Sequence, residues 1–144
     1  MKRHEAIAPL SRDHHASLIL AQLLKKNAPA YKGLPETPAD KATYAQELFQ
    51  KSIQKHFELE EAMLDLVADG DVELIAITKE IKTEHKELTV LFHSLKTAND
   101  LTGTLDTLGV ALEKHIRKEE RILFPLLQLH CSDEQFQQIY KLLH

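Results

Sequence analysis

Two short runs of this sequence repeat one chemical pattern: His56-Phe57-Glu58-Leu59-Glu60 and His115-Ile116-Arg117-Lys118-Glu119 each set a glutamate four residues after a histidine. On a helix, residues four apart project from adjacent turns of one face. An imidazole and a carboxylate placed that way can reach a common metal ion, or a pair of ions. His85 stands alone as a third candidate, and the adjacent pair His14-His15 offers a fourth. This mixed nitrogen and oxygen set suits iron, manganese or zinc, and carboxylates able to bridge suit two ions side by side.

Such chemistry needs elements that aim the side chains at one another, and four long segments have helical periodicity. The first is expected over 12–27, with Ser11 as N-cap and Pro29 just beyond its end. A loop over 29–40, punctuated by Pro29, Gly33, Pro35 and Pro38, leads to a second helix over 38–68. Thr37 caps it, Pro38 takes the first helical position, and Gly70 lies beyond its end. The third helix is expected over 72–98, before a joint marked by Asn99, Asp100 and Gly103. The fourth runs over 104–129, with Pro125 expected to kink or end it. A short last helix follows Ser132, which has capping-box spacing to Gln135. With no strand-like alternation, these elements predict an all-α, up-down-up-down four-helix bundle with a short C-terminal helix, a single domain over 1–144.

The candidate ligands fall inside the apolar stripes of these helices. The fourth helix reads Leu105, Leu108, Leu112, His115, Glu119, Ile122, Leu126, Leu129 in steps of three and four. The third reads Leu74, Ile77, Ile81, His85, Leu88, Phe92, Leu95, and the second Ala45, Phe49, Ile53, His56, Glu60, Met63, Val67. In the first helix His14 lies one turn before Leu18 and is the better aimed of the pair, with His15 as the alternative. A lone histidine on an apolar face is usually a hydrogen-bonded core residue. Histidines in mid-stripe on three helices, joined by two in-stripe glutamates, need a stronger reason, because a buried carboxylate is costly unless paired or ligating. His4, His93, His130 and His144 lie off the stripes or near the ends and are expected in solvent. Glu61, Glu84 and Glu120 are expected to face outward or to support the ligands from behind.

The composition narrows the function classes. Hydrophobic residues make up 43% and charged residues 28%, with a formal net charge of −4 and no basic face, so nucleic acid is not an expected partner. No apolar run approaches the ~20 residues that span a bilayer, and no signal-type stretch follows the charged start Lys2-Arg3. A single cysteine, Cys131, leaves no internal disulfide and fits a reducing, cytoplasmic setting.

The ordered set of histidine, His-x-x-x-Glu, histidine and His-x-x-x-Glu on four successive helices resembles the hemerythrin-like (HHE cation-binding) domain. The run His115-Ile116-Arg117-Lys118-Glu119-Glu120-Arg121-Ile122-Leu123-Phe124-Pro125-Leu126 is similar to that family's last-helix motif, and Leu10-Ser11-Arg12-Asp13-His14-His15 to its first-helix start. The resemblance implies a non-haem di-iron centre with two iron ions held by His14 (or His15), His56, Glu60, His85, His115 and Glu119, the glutamates bridging. Zinc or manganese are the alternative metals. Oxygen-carrying members have two histidines four apart on the third helix, where this chain has Ile81, His85 and Thr89, and an Asp five residues after the last-helix histidine, where it has Glu120. These departures point away from reversible oxygen transport and towards the bacterial cation-binding branch. The expected function is sensing or handling a small oxidant or gas such as oxygen, nitric oxide or peroxide. Iron storage or delivery, repair of iron–sulfur centres, and a metal-stabilised interaction module are the alternatives. The sequence specifies no substrate pocket and no catalysed reaction.

Overall fold

The computed structural model describes residues 2–144, and among them the only regular structure is helical. Helix α1 spans Ala8–Leu24. Helix α2 comprises Pro38–Leu48, a π-helical turn Phe49–Ile53, and Gln54–Leu66. Helix α3 spans Val72–Ser94. Helix α4 comprises Leu101–Lys118, a second π-helical turn Glu119–Leu123, and Phe124–His130. Helix α5 spans Asp133–Leu143.

Successive long helices run antiparallel, as short connections require. Along α1 and α4, His14 meets Glu119, Lys25 meets Glu113, and the Lys26 amide donates to Asp106, so one chain number rises as the other falls. The pairs Phe49–Phe92, Glu60–His85 and Asp65–Lys82 give the same sense for α2 and α3. The predicted caps form: the Thr37 hydroxyl accepts from the Asp40 amide before Pro38, and Ser132 and Gln135 complete a capping box at α5.

Three expectations are corrected. First, α1 begins at Ala8 rather than near Arg12. Pro9 suits a first helical turn, and burial of Ala6, Ile7 and Leu10 pulls that turn onto the core. Ser11 is therefore within the helix, where its hydroxyl donates to Glu120 instead of capping. Second, α4 begins at Leu101, because the Asp100 carboxylate caps the Gly103 amide. Third, of the two outcomes expected at Pro125, a kink or an end, the end does not occur. The turn just before Pro125 widens, with the Phe124 amide bonding five residues back to the Glu119 carbonyl, and the helix continues to His130. One extra residue in that turn shifts the inward face, so Leu123, Phe124 and Leu127 are buried while Ile122 and Leu129 are exposed, contrary to the straight-helix stripe. In α2 the stripe already steps by four through Phe49 and Ile53, and every position of it is buried.

The interior is divided along the bundle axis. One apolar cluster holds Leu20, Leu24, Ala45, Phe49, Phe92, Leu108 and Leu112 among others. A separate cluster at the other end holds Ile7, Leu10, Met63, Leu74, Ile81, Leu123, Phe124 and Ile139. Each long helix crosses from one cluster to the other, and each has its candidate ligands at the crossing point. The α1–α4 contact is tight at Gly109, where an added Cβ would stand 2.7 Å from the Ala21 carbonyl oxygen.

Candidate metal centre

The buried polar or charged residues are His14, His56, Glu60, His85, His115 and Glu119, and both glutamates are fully shielded from solvent. They form the layer between the two apolar clusters. His15, the alternative on α1, is exposed and joins none of them. One residue further along a helix turns a side chain by about 100°, so only one of two neighbours can face the axis, and here it is His14.

Two overlapping tetrads arise, His14, His56, Glu60 and Glu119, and Glu60, His85, His115 and Glu119. In each, one ligand atom per residue lies within 4.8 Å of all the others. Glu60 and Glu119 belong to both. All four imidazoles turn Nε2 inward: His14 Nε2 lies 2.8 Å from Glu119 Oε1, His85 Nε2 2.9 Å from Glu60 Oε1, His115 Nε2 3.2 Å from Glu119 Oε2, and His56 Nε2 3.4 Å from Glu60 Oε2.

Behind each ring stands a carboxylate on Nδ1. Glu120 holds His14 at 2.6 Å, Asp13 holds His56 at 2.9 Å, Glu61 holds His85 at 2.7 Å, and Glu84 holds His115 at 2.8 Å. With Nδ1–H donating outward, the inward nitrogen presents its lone pair, which is the tautomer a metal needs. Glu61 and Glu120 thus support the inward-turned imidazoles of His85 and His14 from behind. Glu84 does so too, but for His115 across the α3–α4 interface rather than for its neighbour His85. Asp13 was missed in the sequence; its only signal is a position next to His14, and it serves a histidine on another helix. Rings are also pinned by stacking of Phe57 on His85 at 4.1 Å and of Phe124 on His14 at 5.5 Å between centroids.

The protein alone does not satisfy this layer. His56 Nε2, His115 Nε2, Glu60 Oε2 and Glu119 Oε2 are buried without a hydrogen-bond partner. Each such atom costs about 1–3 kcal/mol when unpaired, more if charged. All four point into the shared space, and all are donors of electron pairs to a cation, so the residues fit a metal. Without metal, protons must take that role. Burial opposes a charged His56, but Asp13 and Glu60 outweigh it and hold the ring up at about 10. Burial is likewise overcome at His115 by Glu119 and Glu84, again to about 10, and at His85 by Glu119 and Glu60, to about 9. His14 is raised in the same way by Glu119 and Glu120. Glu119, although burial opposes its charge, is held well below the usual carboxylate range by His115 and its other partners.

Two surface clefts flanking α3 each have one of these imidazoles in their lining. A cleft of about 480 Å³ between α3 and α4 has His115 in its lining, with Lys118 and Ile122. Another of about 410 Å³ between α2 and α3 has His85, Phe57 and Thr89 in its lining. The remaining histidines lie elsewhere: His4 stacks on Phe136, His144 on Tyr140, and His93 and His130 are exposed. Cys131 is half-buried with its thiol pushed up to about 11 by burial, which makes it a poor nucleophile. No helix among the described residues is long and apolar enough to cross a membrane.

A family model described as the hemerythrin HHE cation binding domain matches residues 5–127, and matches again over 76–143. No curated protein and no solved structure matches the chain.

Proposed function

We propose, from the premise that this chain belongs to the hemerythrin HHE cation-binding domain family, that its metal-binding core holds a dinuclear iron centre handling a small oxidant or gas. The observation that carries the reading is the sharing of Glu60 and Glu119 between two four-residue sets. A single ion would leave one pair of imidazoles unused. Two ions use all six side chains, with one histidine pair each and both carboxylates in common. In this assignment His14 and His56 would hold one ion, His85 and His115 the other, and Glu60 and Glu119 would be shared by both.

Two imidazoles and two shared carboxylates per ion are fewer groups than a six-coordinate shell contains, which leaves room for a small ligand. Bound iron supplies redox chemistry and affinity for oxygen, peroxide or nitric oxide. The chain's own contribution is to hold the rings in the ligand tautomer through Asp13, Glu61, Glu84 and Glu120, and to keep bulk water out with the apolar clusters above and below. The clefts over His115 and His85 favour ligand approach from the α3 side.

Anaerobic reconstitution with iron(II) tests the reading. Two irons per chain are expected, with visible absorption that changes on exposure to oxygen, azide or nitric oxide and is reversed by dithionite. Stoichiometric iron with no spectral response to any of these would defeat the redox reading and leave a metal that is cargo or staple.

A further inference from the structure

We infer that Arg3, in the segment before α1, is a positioning residue for the His14 half of the centre, acting through Glu120. The inference rests on the dinuclear reading above. Three observations meet at Arg3. Its Nε donates to Glu120 Oε1 at 3.1 Å, and its Nη2 donates to the Glu120 backbone carbonyl. The same Glu120 carboxylate holds His14 Nδ1 through Oε2. The guanidinium also lies over the ring of Phe124, the ring stacked on His14, at 5.5 Å from its centroid.

The carbonyl contact has a cause in the sequence. In the widened turn the bonding reaches five residues back, as from Phe124 to Glu119. The next donor in that series would be residue 125 to the carbonyl of Glu120, and Pro125 has no N–H. Arg3 supplies the missing donor. One planar fork therefore occupies both the side chain and the main chain of a single residue, a geometry that lysine cannot copy.

This clamp is one-sided. The imidazoles of the other tetrad are backed by Glu61 and Glu84, and neither contacts Arg3. Glu119, shared by both tetrads, is held from within by His14 and His115. Glu120 depends for its orientation on Ser11 and on Arg3. Loss of Arg3 should therefore loosen the His14 site and spare the His85–His115 site, making the two metal affinities unequal.

Anaerobic titration of the metal-free full chain with cobalt(II), followed by visible d–d absorption, separates the two equivalents. In Arg3→Ala one equivalent should weaken about 10-fold, the lower end for loss of a group behind a ligand, with the other nearly unchanged. Glu120→Gln should weaken the same equivalent, and the double variant should be no worse than Glu120→Gln alone. Arg3→Lys should recover only part of the loss. Equal weakening of both equivalents, no weakening, additive losses in the double variant, or full recovery by Arg3→Lys would each overturn the proposal. A wild-type chain that takes up a single equivalent would overturn the dinuclear reading, and the proposal with it.

Discussion

Glu119→Gln removes one charge from the centre while keeping the side chain's size and one acceptor oxygen. Glu119 has three imidazole neighbours, His14 at 2.8 Å, His115 at 3.2 Å and His85 at 3.7 Å. In the metal-free protein burial opposes charge on these rings, but their carboxylate partners hold His115 up at about 10 and His85 at about 9 and raise His14 in the same direction, so the variant leaves buried positive charge without its counter-ion. At an effective dielectric near 20, one unit pair at 4 Å is worth about 4 kcal/mol. Desolvation of both ions offsets much of that, and breaking a buried pair at one partner typically costs about 3–5 kcal/mol. Urea unfolding of the chelator-treated protein at pH 7 should show a loss of that size. The loaded protein should lose more. An ion bound to the native state alone adds about 4 kcal/mol at a thousandfold excess over its Kd, and this linkage should shrink as a shared ligand is removed. A metal-free Glu119→Gln variant as stable as wild type would refute the ionised-pair reasoning. Unchanged stabilisation by added iron would refute Glu119 as a ligand.

His14→Ala should lower bound iron and thermal stability together, whereas His15→Ala should leave both unchanged; metal analysis of the two purified variants checks this. The metal-free protein should be less stable at pH 9 than at pH 6. Histidines raised to about 9–10 in the fold stabilise it fully below their ordinary value near 6.5, and that contribution is lost as pH rises through 9–10. Glu119, shifted the opposite way, contributes above its ordinary 4.5 and loses that contribution as pH falls. Urea midpoints across this range decide it, a flat or rising profile between pH 6 and 9 being the contrary result. Loading with metal should release protons into a weak buffer, because the ligating nitrogens must be unprotonated. Gly109→Ala should cost about 1–3 kcal/mol, as its Cβ would press on the Ala21 carbonyl 2.7 Å away; a thermal melt reports it.

Much of the site was legible because a buried charge in an amphipathic stripe is a local anomaly. His56 with Glu60, and His115 with Glu119, need only a helix and a face to be singled out, and both pairs are fully inside. The same periodicity placed His85 and the apolar neighbours on α3. It failed after Glu119, where one extra residue in the turn moved burial from Ile122 to Leu123, since a stripe drawn at a constant 3.6-residue period cannot foresee a widened turn. It failed also at the start of α1, where contacts with the core rather than Ser11 set the first turn.

By itself, then, the sequence determined the helices, the inward faces of α2 and α3, and the residue types able to grip a cation, because these follow from periodicity and from the cost of burying charge. Tertiary structure decided which carboxylate stands behind which ring. Asp13 supports a histidine on α2, Glu84 one on α4, and Arg3 reaches across to Glu120, since such pairings depend on how antiparallel helices are offset along their axes. It also decided that Glu60 and Glu119 stand within reach of all four imidazoles. A shared ligand is a property of distances between helices, and no spacing along one chain encodes it.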